Sequence, residues 1–410
     1  KNVVSVFRAA VLAQVIPMIG YIIIALFILP KEFGLFAIWL GIVQIISVIS
    51  TLRLEISLFN EEDGVARDRS IILITYISLI VSLLMGFLLF IGYFLRPLSV
   101  ENLSMVSWIF ILPCAALFSI ENNLRDWARA DGRYDDLNKI RLAQAILVTS
   151  LQMVLILRSP TSDSLIIGQF IGCLLGLIYA NHLKPLRFFF HKEIFQEIKS
   201  YIYKHKRFIT YTFPADAIST FLAQLPLWVF GSRFGLEASG YLALALRTMK
   251  VPAALLGNSI QDVFIRQAMN DLNLYGNCMI LFKRTFSFLF LGAVAFFAVS
   301  FLLIEELFIL FFGEIWATAG LYAFYLSPLF AFGFISSPLS ILTLIIKRQD
   351  IDFIWHLFLL PLVFLSFLIP SSDTHVLITY VCTFSFMHII YTFLTYRLSL
   401  GGYVFDLHKS

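Results

Sequence analysis

Arg247 and Lys250 lie three residues apart inside residues 238–262, a run otherwise dominated by Ala, Leu and Gly. At that spacing both fall on one face of a helix. The face continues through Ala254, Gly257, Asn258 and Gln261, so small and polar side chains follow the two cations. A guanidinium and an ammonium in a low-dielectric setting suit an anionic head, most naturally phosphate or pyrophosphate. Charge also stands close to apolar runs at Arg8, Arg53 and Glu55, and Asp216 opens a comparable stripe with Ser219, Thr220 and Ala223. Two readings of these residues stand side by side. In the first, Arg247, Lys250, Arg53 and Arg8 line a cationic cavity as substrate ligands, and Asp216 and Glu55 are candidates for ion coupling or ion pairing. In the second, Asp216 pairs with Arg247 or Lys250 to lock two helices, and Arg53, next to Glu55, reaches the interface on its long stem.

Other chemistries find no support. There is no phosphate-binding Walker loop, and the histidines His182, His191, His205, His356, His375, His388 and His408 show no ligand spacing. No Ser/His/Asp arrangement can be argued. Cys114, Cys173 and Cys382 sit inside apolar runs and Cys278 leads into one, which fits small hydrophobes better than disulfides or ligands. The expectation is a protein that is not an enzyme, with no metal and no cofactor. The net charge of +4 is modest, and nucleic acid is not expected as a partner.

The elements that position these residues follow from composition. Of 410 residues, 60% are hydrophobic and 14% charged, and the mean hydropathy is +0.87. Soluble domains run near 45–50% apolar and about 25% charged. A water-soluble core cannot absorb that surplus, but a bilayer can. A spanning helix needs about 20 mostly apolar residues. Twelve such runs are predicted: 9–29, 33–52, 70–95, 102–120, 142–157, 164–183, 208–232, 238–262, 285–304, 315–346, 353–370 and 374–396. The fifth is short. The tenth is too long for one straight crossing and is expected to begin with an interfacial piece around Trp316. The first run shows no small-residue cleavage site after Pro30, so it is read as a span and not a signal peptide.

With both termini on the cytoplasmic side, the inner segments hold 24 of the 30 Lys and Arg residues and the outer loops hold 4. That asymmetry sets the orientation. Every outer loop is short. The longest inner connection, 184–207, is basic and aromatic and is expected to lie as a helix on the anionic inner leaflet. The chain then divides into a six-helix lobe at 1–183, a cytoplasmic basic linker at 184–207, and a second six-helix lobe at 208–410. A faint internal repeat agrees with two lobes: Leu12-Ala13-Gln14 before Pro17, and Leu222-Ala223-Gln224 before Pro226. Prolines at 17, 113, 214, 226, 252, 328, 338 and 361 fall within spans, where each would bend its helix.

The stretch Pro30-Lys31-Glu32-Phe33-Gly34-Leu35-Phe36-Ala37, running on to Leu52-Arg53-Leu54-Glu55, resembles the polysaccharide-transporter (Wzx-type) flippases. So do Phe213-Pro214-Ala215-Asp216 with Gln224-Leu225-Pro226, the segment Gly240 to Arg247 with Pro252 and Gly257, and Phe312-Gly313-Glu314-Ile315-Trp316. That family belongs to the multidrug/oligosaccharidyl-lipid/polysaccharide (MOP) exporter superfamily. The resemblance implies an all-α, multi-pass protein of about twelve transmembrane helices in a bacterial inner membrane. It implies transfer of an undecaprenyl-pyrophosphate-linked oligosaccharide, such as an O-antigen unit of lipopolysaccharide, to the periplasmic leaflet by alternating access. Arg53 and Arg247 match the cationic positions of the family. A polysaccharide polymerase and a chain-length regulator are the implied partners besides membrane lipid. Coupling to a proton or sodium gradient stays open. The alternatives are a MATE-like exporter of cationic drugs, which needs embedded carboxylates, and a membrane polysaccharide polymerase, which needs a sizeable outer loop.

Overall fold

A computed structural model of the protein describes residues 2–95, 104–186, 193–346, 348–368 and 372–401. Within them, the side chains at 2–14, 90–95, 253–256, 258–259, 262 and 349 lie outside the description. Arg8, Ala254 and Asn258 are among these, and His191 and His408 lie outside the described residues altogether.

The described residues form helices and no strands. Twelve helices reach 20 residues or more: α1 (Asn2–Phe27), α2 (Pro30–Thr51), α3 (Val65–Leu95), α4 (Met105–Ala130), α5 (Tyr134–Arg158), α6 (Ser162–Leu183), α8 (Phe213–Arg233), α9 (Leu236–Tyr275), α10 (Met279–Phe312), α11 (Ala317–Ser340), α13 (Gln349–Leu368) and α14 (Asp373–Ser399). Each corresponds to one of the twelve apolar runs. Two short helices, α7 (Ile194–Lys204) and α12 (Leu342–Ile345), complete the α set. Among the described residues, nine helical segments are long and apolar enough to cross a membrane. The three long helices outside that set are α1, α8 and α9, two of which carry Asp216 or Arg247 and Lys250.

Local chemistry explains several boundaries. Pro30 sits in the first turn of α2, where its missing N–H costs nothing. Ser104, Thr161 and Ser372 cap α4, α6 and α14 by accepting a backbone N–H with their hydroxyl oxygens. A 3₁₀ turn at Glu314–Trp316 precedes α11 and buries Trp316, so the long tenth run begins with a separate piece. Pro214 lies in the first turn of α8, directly after a π-helical turn, Phe208–Thr212. Helix α9 runs 40 residues, well past the expected end at 262, because nothing after that point breaks the helix before Gly276.

The chain divides into two compact units, 1–240 and 241–410, with the boundary inside α9. In the first unit α5 packs against α1 and α6, and α2 packs against α3, α4 and α8. Its core includes Leu54, Leu58, Ile71, Ile74, Leu124 and Trp127. In the second unit α11 packs between α10 and α14, around Phe264, Phe282, Leu289, Phe334 and Leu339. Helix α10 turns Phe288, Leu291, Leu302 and Leu310 outward, each at least 65% exposed. An exposed apolar face of this kind marks contact with lipid or with another protein.

Candidate functional site

Helix α2 ends at Thr51, and the two residues after it, Leu52 (φ 49°) and Arg53 (φ 56°), both take the left-handed conformation. No other non-glycine residue among those described does so. The conformation costs roughly 1–2 kcal/mol per residue. It persists because both flanks are fixed. The Leu52 N–H returns to the Ile49 carbonyl, and a 3₁₀ helix, Leu54–Asn60, follows with Leu54 and Leu58 fully buried. Ser57 shares a 2.7 Å hydrogen bond with the Tyr201 hydroxyl. The turn therefore aims the Arg53 side chain instead of leaving it to spread along the interface.

The Arg53 guanidinium holds two carboxylates. Its Nε donates to Asp216 Oδ2 at 2.6 Å and its Nη1 to Glu55 Oε1 at 3.0 Å. Arg53 and Asp216 are about one-third exposed, at 30% and 33%, whereas Glu55 is 1% exposed. Burial works to lower the Arg53 pKa, but Asp216 and then Glu55 outweigh it, and the group stays above its usual value. Burial pushes the Glu55 carboxyl above the usual carboxylate range in spite of Arg53. The group as a whole is a guanidinium with one accessible and one buried acidic partner. Asp216 thus pairs with Arg53, 163 residues away in the sequence.

Further contacts fasten α2 to α8 beyond this corner. Gln224 Nε2 donates to Gln44 Oε1 at 2.9 Å, and Trp228 Nε1 donates to the Ile38 carbonyl at 3.3 Å. At the other end, α2 meets the start of α9 backbone to backbone. A Cβ on Gly34 would collide with the Leu236 carbonyl oxygen, and one on Gly240 with the Pro30 carbonyl oxygen.

Helix α7 is amphipathic: Ile194, Ile198 and Tyr201 are buried in the core of the first unit, whereas Phe195 and Tyr203 are exposed. Polar contacts hold it there: Arg69 with Glu197, Lys204 with Glu61 at 2.7 Å, and His205 Nε2 with Glu61 Oε1 at 2.7 Å.

In the second unit, Arg247 is half-buried on α9 and Lys250, one turn on, is exposed. Gly257 is buried and Gln261 half-buried on the same helix. Two polar groups within membrane helices escaped the sequence reading. Glu121 on α4, 2% exposed, accepts from Arg125 Nη2 at 2.7 Å and from Gln144 Nε2. The fourth run was ended at 120, one residue short of it. Asp352 on α13 accepts from the Tyr391 hydroxyl at 2.8 Å and lies 3.7 Å from His356 Nδ1. The i, i+4 spacing of Asp352 and His356 was the available signal.

On the side away from the basic loops, the described connections are short: two residues join α1 to α2, three join α5 to α6, and two join α8 to α9. Among the described residues there is no cluster of three or more side chains able to hold a metal ion.

Comparison with known proteins agrees with this architecture. The fold is similar to that of the lipid II flippase MurJ in an inward closed conformation, with a TM-score of 0.71 at 14% identity over 97% of this chain and 87% of that one. A MOP-superfamily transporter from Pyrococcus furiosus aligns with a TM-score of 0.61 at 13% identity, over 99% and 96% of the two chains. An inward-facing multidrug resistance MATE transporter aligns at 0.54 and 12%, over 97% and 94%. No curated protein sequence matches. Residues 23–320 match the family described as Polysaccharide biosynthesis protein. The chain is a multi-pass membrane protein whose fold is similar to those of these transporters, and it belongs to that polysaccharide biosynthesis family.

Proposed function

We propose that this protein is a flippase that moves a lipid-linked oligosaccharide, carried on undecaprenyl pyrophosphate, from the cytoplasmic to the periplasmic leaflet of a bacterial inner membrane. The observation that carries the reading is Arg53: a guanidinium aimed by a strained corner and already engaged with an acidic group that water can reach. Planar guanidinium donors match pyrophosphate oxygens as they match carboxylate oxygens. Arg247 and Lys250 are the cations that the second unit contributes to the reading, and Arg8 is a further candidate from α1. The lipid tail stays in the bilayer while the sugar crosses by alternating access. The product suits a polysaccharide polymerase and a chain-length regulator at the outer leaflet.

Family membership supports a role in polysaccharide export, and the short outer connections leave a polymerase little to hold its acceptor with. A MATE-like exporter of cations needs an embedded carboxylate to receive its cargo, and Asp216 is engaged by Arg53. Reconstitution into proteoliposomes with a fluorescent polyprenyl-pyrophosphate oligosaccharide tests the proposal. Wild-type protein is expected to move the lipid between leaflets. Extrusion of a cationic dye under a proton gradient, with no movement of the lipid, would replace this reading by the exporter.

A further inference from the structure

Asp216 occupies Arg53 in the way a ligand would. Its Oδ2 takes the Nε–H at 2.6 Å, and Nη1 is held by Glu55 at 3.0 Å, so the inner edge of the fork is fixed and the partner on Nε is the exposed one. The two carboxylates differ in what they can do. Glu55 is two residues from Arg53 and 1% exposed, and it cannot leave without dismantling the buried 3₁₀ helix. Asp216 arrives from α8, is one-third exposed, and stands beside a π-helical turn at Phe208–Thr212. A π turn is rare and occurs frequently at functional sites. The acceptor that can move is therefore the one that solvent reaches.

We propose that Asp216 is an internal competitor for the anion site at Arg53, displaced when the pyrophosphate group of the substrate binds. The exchange is non-covalent: two phosphate oxygens take the place of one carboxylate, and Asp216 returns to water. Displacement would free the start of α8 from the corner after α2, so that binding of the anion and release of the helix are one event. Such competition reduces the apparent anion affinity by the fraction of Arg53 left free, so weakening the Asp216 side of the pair tightens anion binding, by at most the factor by which the pair is weakened. The proposal rests on the reading of Arg53 as an anion site, but not on transport having been observed.

The test uses the full-length protein in detergent with inorganic pyrophosphate as the probe, read by isothermal titration calorimetry. Asp216→Asn is expected to bind pyrophosphate on the order of tenfold tighter than wild-type, and Asp216→Glu about as tightly as wild-type. The gain is expected to vanish in Asp216→Asn/Arg53→Ala. Equal or weaker binding by Asp216→Asn, or a gain that survives loss of Arg53, would overturn the proposal. A second measurement needs no variant: hydrogen exchange at residues 208–216 of the wild-type should rise on adding saturating pyrophosphate. Unchanged exchange with pyrophosphate bound would overturn it as well. A protein that passes both tests yet moves no lipid-linked sugar would refute the flippase reading and leave the exchange standing.

Discussion

Arg53 and Asp216, 163 residues apart in sequence, meet through a 2.6 Å hydrogen bond between Nε and Oδ2, while Arg53 Nη1 reaches Glu55 at 3.0 Å. The relationship ties the end of α2 to the start of α8. It also turns a surface-seeking side chain into a fixed one, since Leu52 and Arg53 both carry positive φ to aim it.

Removing Arg53 should cost stability as well as any anion affinity. Glu55, 1% exposed, would lose its cationic partner, and breaking a buried pair from one side costs about 3 kcal/mol. Arg53→Ala is therefore expected to lower the thermal midpoint in detergent. Adding Glu55→Gln should recover most of that loss, because a neutral amide needs no counter-charge. A double variant no more stable than the single one would show that the Glu55 charge is not the cause.

The pair of amides between α2 and α8 makes a separate prediction. Gln224 donates to Gln44 at 2.9 Å, both partly buried. Gln224→Leu leaves a polar group without its partner and is expected to cost about 1–2 kcal/mol. Gln44→Leu/Gln224→Leu should cost less than the sum of the two single changes, by roughly 0.6 kcal/mol or more. A double-mutant cycle of unfolding midpoints reads this directly, and strict additivity would contradict it.

Gly34→Ala should be far worse than its single methyl suggests. The added Cβ meets the Leu236 carbonyl oxygen and lies 2.8 Å from the Gly240 nitrogen, and both are backbone atoms that cannot rotate away. A loss of about 3 kcal/mol and reduced membrane abundance are expected. Gly132→Ala is the control, since nothing lies within 4 Å of its Cβ and only its φ of 70° is strained. It should cost about 1–2 kcal/mol.

Docking of α7 should weaken on acidification. Burial works to raise the Glu61 carboxyl, but hydrogen bonds from Lys204 and His205 hold it below its usual range. Burial pushes His205 below its usual value. A depressed carboxylate stabilises the docked state above its unfolded pKa of about 4.5, and that contribution is lost as pH falls through the docked value. A depressed imidazole takes up its proton more readily when undocked, so stability also falls as pH drops below about 6.5. Both effects have the same sign. Hydrogen-exchange protection at residues 194–204, corrected for intrinsic rates, should fall between pH 7 and pH 5. His205→Gln should flatten the upper part of that fall, and an unchanged profile in the variant would assign the effect elsewhere.

The twelve long helices were legible as apolar runs, and nine described segments are long and apolar enough to cross a bilayer, a requirement that leaves its mark on any sequence. Their extent was less legible. Helix α9 continues from residue 262 to Tyr275 in mixed sequence, where Arg266, Gln267, Asn270 and Asp271 interrupt the apolar run. The partner of Asp216 was not legible at all: helical spacing relates residues three or four apart, and the Arg53–Asp216 bond spans more than a third of the chain. For α7 the basic and aromatic composition was plain, but composition does not say which apolar residues protein covers. Ile198 and Tyr201 are covered, and Phe195 and Tyr203 are not.

The account stands most directly on whether cations in both units serve transport. In proteoliposomes, wild-type protein should move a fluorescent polyprenyl-pyrophosphate oligosaccharide between leaflets, and Arg247→Ala/Lys250→Ala should not, at equal reconstitution and an unchanged thermal midpoint. Full transport by the double variant would contradict the account and remove Arg247 and Lys250 from the anion pathway.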